Sequence, residues 1–196
     1  MANPIHELIE RLSRLPGIGE RTATRLAFHL MRSPVAFREG LASSIERLSQ
    51  ITFCSECSTV TDQNPCSICT SHVRRHDIIC VVEKPSDIYS IERIHSYQGV
   101  YHVLHGLLSP MEGIGPSDLH IAQLQKRIQE TNPRELILAL SPTLEGDATS
   151  AYLVKQVAGP NLLISRLAAG LAIGSDLEFA DQITLGKAFE ARTRVG

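Results

Sequence analysis

Four cysteines are spaced for metal chemistry. Cys54-Ser-Glu-Cys57 and Cys66-Ser-Ile-Cys69 are two Cys-x-x-Cys pairs with eight residues between them. Each pair puts two thiolates on one turn, and a loop of that length folds the second pair back onto the first, the spacing of a tetrahedral site. From Cys54 to His76 only Val60, Ile68 and Val73 are sizeable aliphatic residues. So small a core cannot offset an ordering entropy of roughly 1–2 kcal/mol per residue. A structural Zn2+, with an apparent binding free energy on the order of 10–16 kcal/mol, can. Two disulfides or four unrelated thiols are the alternatives. Nothing else in the sequence points to an oxidising compartment, so zinc is favoured. Four sulfurs close the coordination sphere, which makes the site structural rather than catalytic and leaves His72 and His76 as bystanders. Cys80, inside Ile78-Ile-Cys-Val-Val82, reads as a buried small hydrophobe.

A second constellation suits phosphate. Leu15-Pro-Gly-Ile-Gly19 lies between two helical patterns, and Arg21 and Arg25 follow four residues apart. Gly17, Ile18 and Gly19 form a turn whose backbone N–H groups can approach an anion, and the next helix presents its positive N-terminal end to the same place. Arg21 and Arg25 share one face of that helix and add two phosphate contacts. Such a site grips backbone without reading bases. An ordinary turn between two packed helices, with solvated arginines, is the plainer alternative; the turn and the placed arginines together favour DNA.

Glu83, Glu145 and Asp147 are the third set. All three fall at the ends of expected strands, where ligands of open α/β sheets collect. A glutamate plus an acid-x-acid pair can hold Mg2+ for phosphoryl chemistry on nucleic acids. Equally, Glu145 and Asp147 can simply occupy the first turn of a helix, where the dipole favours carboxylates. Spacing alone does not choose.

The elements that must position these groups follow from periodicity. Ile5, Leu8, Ile9, Leu12 and Leu15 mark an amphipathic first helix; Ala23, Leu26, Ala27, Leu30 and Met31 mark a second. Ser33-Pro34 predicts the start of a third, with serine as its cap and Phe37, Leu41, Ile45 and Leu48 as an apolar face suited to packing, including between subunits. Beyond the cysteines, strands at Ile78–Val82, Val100–Leu104, 135–140 and 161–167 alternate with helices at 86–94, a segment capped by Ser117, and 145–157. That alternation predicts a doubly wound parallel sheet within an α/β multidomain chain.

The 196 residues carry a net charge of −2, no apolar run of the ~20 residues a membrane span needs, and no secretory signal at Met1-Ala-Asn-Pro-Ile-His-Glu. A soluble, cytoplasmic protein is expected. Residues 1–53 hold seven arginines against five acids, whereas 81–196 hold ten basic against thirteen acidic groups, so a polyanion meets its best field at the N-terminal end.

Leu15-Pro-Gly-Ile-Gly19, the four cysteines, Val81-Val-Glu-Lys84, Tyr101-His-Val-Leu104, Leu108-Ser-Pro-Met-Glu-Gly-Ile-Gly-Pro116, Pro142-Thr-Leu-Glu-Gly-Asp147 and Gly174-Ser-Asp-Leu-Glu-Phe-Ala-Asp181 together resemble the bacterial recombination mediator family RecR, in the family's order and over essentially the whole chain. The resemblance implies a helix-hairpin-helix domain (1–53), a four-cysteine zinc ribbon segment (54–76), a Toprim domain (77–170) and a C-terminal oligomerisation segment (171–196). It implies subunits paired into dimers and ring-like tetramers that encircle DNA, and partnership with RecO and, in many bacteria, RecF, to help RecA load at single-stranded gaps. The family's DNA-contacting pair maps onto Arg21 and Arg25, its zinc ligands onto Cys54, Cys57, Cys66 and Cys69, and its Toprim acids, implicated in binding RecO, onto Glu83, Glu145 and Asp147. Catalytic Toprim enzymes carry Asp-x-Asp where this chain has Glu145-x-Asp147, which disturbs the octahedron Mg2+ demands, so any Mg2+ here is not expected to be catalytic. Ala172 and Ser175 replace a proline and a glycine usual in relatives.

Overall fold

A computed structural model describes residues 3–168, 170–171 and 174–193; Ala172 lies outside them. The chain divides into two compact units, 1–51 and 52–196.

In the first unit, α1 (Pro4–Ser13) starts with proline in its first turn and with the Asn3 side chain accepting from the Ile5 N–H. Pro16 and Gly17 end its run, and Gly17 takes φ +77°, a left-handed conformation that glycine alone adopts freely. α2 (Glu20–Arg32) packs on α1 through Ala23 and Ala27, both fully buried one turn apart. Ser33 does not cap the third helix as expected. Its N–H donates to the Leu30 carbonyl and its hydroxyl to the His29 carbonyl (2.9 Å), so it closes α2. Carbonyls left unpaired by the end of α2 lie within reach of that hydroxyl, and they win it. α3 (Val35–Glu46) then begins after Pro34 with no side-chain cap. Phe37, Leu41 and Ile45, with Leu48 in the following 3-10 turn, share a side as the spacing requires. All are exposed, from 40% at Leu41 to 65% at Leu48.

The second unit begins with the metal segment. β1 (Thr52–Phe53) and β2 (Val60–Thr61) form a short antiparallel pair, with Thr52 opposite Thr61 and Phe53 opposite Val60. The larger sheet comprises β3 (Arg75–Val82), β4 (Gly99–Val103), β5 (Glu135–Ala139) and β6 (Leu163–Arg166), all parallel, in the order β4-β3-β5-β6. β3 has a neighbour on either side, which is why its second part, Ile78–Val82, is continuously apolar, while Arg75, His76 and Asp77 at its start are less buried. Ile79 and Val81 point into one core with Leu124, Leu136 and Leu153; Cys80 and Val82 point into the other with Ile88, Tyr101 and Val103. Two helices whose apolar residues join the first core, α5 (Ile121–Thr131) and α6 (Leu144–Val157), cover that face, and α4 (Pro85–Glu92) supplies Ile88 to the second. Burial pushes the Cys80 thiol up to about 12, as befits an inert core residue.

Ser117 does not cap α5, contrary to its position in the sequence pattern. Pro116 starts a separate 3-10 turn, the Asp118 carboxylate takes the Gly115 N–H (2.8 Å), and the extended Leu119 separates that turn from α5, which begins after His120. Near the C-terminus, α7 (Gln182–Glu190) is capped by Asp181, whose carboxylate accepts from the Ile183 and Thr184 N–H groups. Among the described residues no helix is long and apolar enough to cross a membrane.

Candidate functional site

The turn between α1 and α2 presents open backbone. Gly19 precedes α2 in extended conformation with no side-chain cap, and the first helical bond is Ala23 N–H to Gly19 O, at 2.9 Å. The donors of the first turn are therefore free for an outside acceptor. A Cβ added at Gly17 or Gly19 would meet nothing within 4 Å, so there is space where a phosphate would sit. Arg21 and Arg25 are both exposed, and neither forms an ion pair among the described residues. Arg11 and Arg14, on α1, are instead held by Glu7 and Glu10. Elementary electrostatics thus leaves Arg21 and Arg25 available to a polyanion.

Cys54, Cys57, Cys66 and Cys69 are all free, all buried, and gathered so that their sulfurs lie within 4.8 Å of one another. Tetrahedral zinc with Zn–S bonds of about 2.3 Å needs sulfurs about 3.8 Å apart. The Cys57 and Cys66 sulfurs already stand at 3.6 Å. The Cys66 N–H donates to the Cys54 sulfur at 3.3 Å, the backbone-to-thiolate bond such knuckles use. The crowded sulfurs perturb one another: contact with Cys57 and Cys69 holds Cys66 below the ordinary thiol range, whereas Cys57 is pushed up chiefly by Cys66 and Cys69 chiefly by Cys57. Four thiolates cannot ionise together at this range without a cation, and the donor set fits Zn2+. The knuckle is fastened to the parallel sheet. The Val103 N–H donates to the Cys57 carbonyl (2.8 Å), the His105 ring to the Ser58 carbonyl (2.6 Å), and the Ser58 hydroxyl to Gln123 (3.0 Å). Beside it the Phe53 ring meets His105 and His120 edge-on, with centroids 4.9 and 6.4 Å away, and the two imidazoles are tilted against each other at 4.6 Å.

The acidic set does not gather at one point: Glu83 and Glu145 share a cleft, and Asp147 is turned to other partners. Glu83 follows β3 directly and lines a cleft of about 340 Å3 with Lys84, Ser109, Glu112, Ile114 and Glu145. Its carboxylate is engaged by Lys84 (2.9 Å) and by the Ser141 hydroxyl (2.7 Å). Partial burial pushes Glu83 up, but those two donors outweigh it and hold the group below its ordinary range. Glu145 and Asp147 occupy the first turn of α6, behind Thr143, whose hydroxyl accepts from the Gly146 N–H (3.2 Å). Asp147 is bound by Arg166 at the end of β6 (2.9 Å), with Lys187 of α7 at 3.9 Å. Among the described residues, only the four cysteines bring three or more metal-binding side chains into mutual reach.

The distinctive loop 108–116 is built around a residue that periodicity passes over. Thr149 is fully buried, donates to the Glu145 carbonyl (2.6 Å) and accepts from the Leu108 N–H (2.9 Å). It ties the loop to the helix that carries the acids. Sequence reasoning also missed the buried Arg127, because it lies within an otherwise apolar helical stripe.

The chain matches four family descriptions end to end: RecR helix-hairpin-helix over residues 5–48, the RecR zinc finger domain with four cysteine ligands over 51–71, Toprim domain over 77–168, and RecR C-terminal over 170–193. It is 48% identical over 192 residues to recombination protein RecR of Desulforudis audaxviator, covering 97% of both chains. It is 47% identical to the proteins of the same name from Pelotomaculum thermopropionicum and Heliobacterium modesticaldum, over 97% of this chain and 96% of each relative. With nearly the whole length matched at this identity, and with hairpin, four-cysteine centre and parallel sheet in the same order, the chain belongs to the recombination protein RecR family.

Proposed function

We propose that this protein is a non-enzymatic DNA-binding mediator of recombinational repair, which assembles as a ring-like clamp and, with RecO and RecF, promotes RecA loading at single-stranded gaps. The observation that carries the reading is the hairpin: an uncapped helix N-terminus behind an open Gly-Ile-Gly turn, with Arg21 and Arg25 exposed and unpaired by any described carboxylate. Two arginines per chain neutralise about two phosphates, a salt slope of about −1.8, which is weak binding. Four copies on one rim reach about eight phosphates and a slope near −7, with avidity from the linked subunits. The exposed side of Phe37, Leu41, Ile45 and Leu48 supports self-association.

Zn2+ held by Cys54, Cys57, Cys66 and Cys69 is the structural cofactor in this reading, and it supplies cross-linking, not reaction chemistry. Glu83, Glu145 and Asp147 serve as a partner surface. Cations and hydroxyls already engage Glu83 and Asp147, which supports that role over a Mg2+ centre. The protein acts in the cytoplasm, on nucleoid DNA.

A gel assay with labelled gapped duplex, with and without Mg2+, tests the proposal. Retarded but intact DNA is expected, with binding lost to salt and to the double variant Arg21→Glu, Arg25→Glu. Breaking the oligomer should cost more affinity than replacing either arginine alone. Mg2+-dependent cleavage that disappears in Glu145→Gln would refute the non-enzymatic reading, and a monomeric variant that binds like wild type would refute the clamp.

A further inference from the structure

α5 carries a charge where its pattern calls for a hydrophobe. Ile121, Leu124 and Arg127 are its buried residues, spaced by three, and Arg127 is 8% exposed. One guanidinium nitrogen donates to the Tyr101 carbonyl at 2.6 Å, and the other lies 3.9 Å from the Cys69 sulfur. No described carboxylate comes within ion-pair distance of it. Arg127 borders a surface cleft that Glu56 and Glu130 also line, but neither carboxylate pairs with it, and Glu130 is turned to Lys126 at 3.8 Å. Guanidinium does not lose its proton in proteins, so Arg127 stays positive, and a buried cation without a compensating anion is strongly unfavourable.

The compensating charge stands on its other side. Four thiolates around Zn2+ carry two surplus negative charges, and a buried thiolate centre needs positive charge or N–H donors around it as much as the arginine needs an anion. We propose that Arg127 is the counter-charge of the zinc centre, a positioning residue that reaches from the sheet's covering helix to the Cys69 sulfur and couples zinc retention to the packing of α5 on β4. The inference rests on the zinc reading of the four cysteines but goes beyond it, since it assigns a role to a residue outside the ligand set. The Val103 and His105 bonds hold the Cys57 and Ser58 carbonyls of the first knuckle and Gln123 holds the Ser58 hydroxyl, whereas Arg127 is the described side chain outside the four ligands that addresses a sulfur.

The test uses the full chain. Metal content is measured first; wild type with no zinc would overturn both the zinc reading and this inference. With one zinc per chain, transfer of Zn2+ to a chromophoric chelator is compared among wild type, Arg127→Met and Arg127→Gln. The glutamine variant retains an N–H donor but not the charge, and is the measure to rely on should the methionine variant fail to fold. Zinc affinity lower by about 10- to 100-fold is expected in both, the usual effect of losing an outer-shell partner. Co2+ is then substituted, and the sulfur-to-cobalt charge-transfer band should move to lower energy in both variants, because sulfur loses a positive neighbour, and further in Arg127→Met, where it loses the donor as well. A general loss of packing would not by itself shift that band. Zinc affinity within twofold of wild type together with an unchanged cobalt band would overturn the proposal.

Discussion

Gly146→Ala should be among the most damaging single-methyl additions in the sheet unit. A Cβ at Gly146 would lie 1.9 Å from the Ser141 carbonyl oxygen and 3.0 Å from its carbon. The obstacle is backbone, and it is pinned. The Ser141 carbonyl accepts from the Thr143 N–H at 2.8 Å, and the Ser141 hydroxyl donates to Glu83 at 2.7 Å. Restoring ordinary contact requires the start of α6 or the loop before it to move by about an ångström. Overpacking of this kind costs about 1–3 kcal/mol, and a rigid neighbour places this case at the upper end. At about 2–4 °C per kcal/mol for a unit of this size, the second unit should melt roughly 5–10 °C lower. The same movement shifts Glu145, Asp147 and, through Ser141, Glu83, so the partner binding proposed for these acids should fall as well. The DNA binding proposed for the hairpin, which belongs to the other unit, should stay close to wild type. Calorimetry on the zinc-loaded protein, together with DNA retardation, measures both. An unfolding temperature within a degree of wild type would refute the steric argument, because no flexible side chain is present to absorb the added methyl.

Two further outcomes follow from buried polar groups. Thr149→Val keeps the shape but removes the acceptor of the Leu108 N–H and the donor to the Glu145 carbonyl, so it should cost about 1–3 kcal/mol in urea unfolding, whereas Thr149→Ser should recover most of the loss; equal stability of the valine variant and wild type would contradict the assignment. His102 is fully buried, donates from Nε2 to the His120 carbonyl (2.9 Å), and is lowered by burial to about 4. Its unfolded form titrates near 6.5 and takes up a proton that the folded form refuses, so stability is complete above about pH 6.5 and declines toward pH 4. With zinc in excess, wild type should lose on the order of 1–3 kcal/mol more than His102→Gln between pH 7 and pH 5; parallel pH profiles would disprove it.

Much of this molecule was legible along the chain, because its signals are local. The Cys-x-x-Cys pairs need only their own loop to converge, and the sulfurs meet within 4.8 Å. The apolar run at Ile78–Val82 can be satisfied only by a strand covered on both faces, and β3 is that strand, with β4 and β5 on either side. The turn at Gly17 announces itself by a residue type that alone takes φ +77° without strain.

What the sequence left open depended on neighbours from distant segments. Whether Ser33 caps the helix after it or closes the helix before it turned on which carbonyls lay nearest its hydroxyl. The spacing of Glu145 and Asp147 served a metal site and a helix first turn equally well. Only the fold brought Arg166, 19 residues further along, onto Asp147 and Ser141 onto Glu83. Arg127 hid inside an apolar stripe because its partners, Tyr101 and Cys69, are 26 and 58 residues away. Periodicity reports which face of an element is buried. What compensates a charge on that face is decided by segments that meet only when the chain has folded.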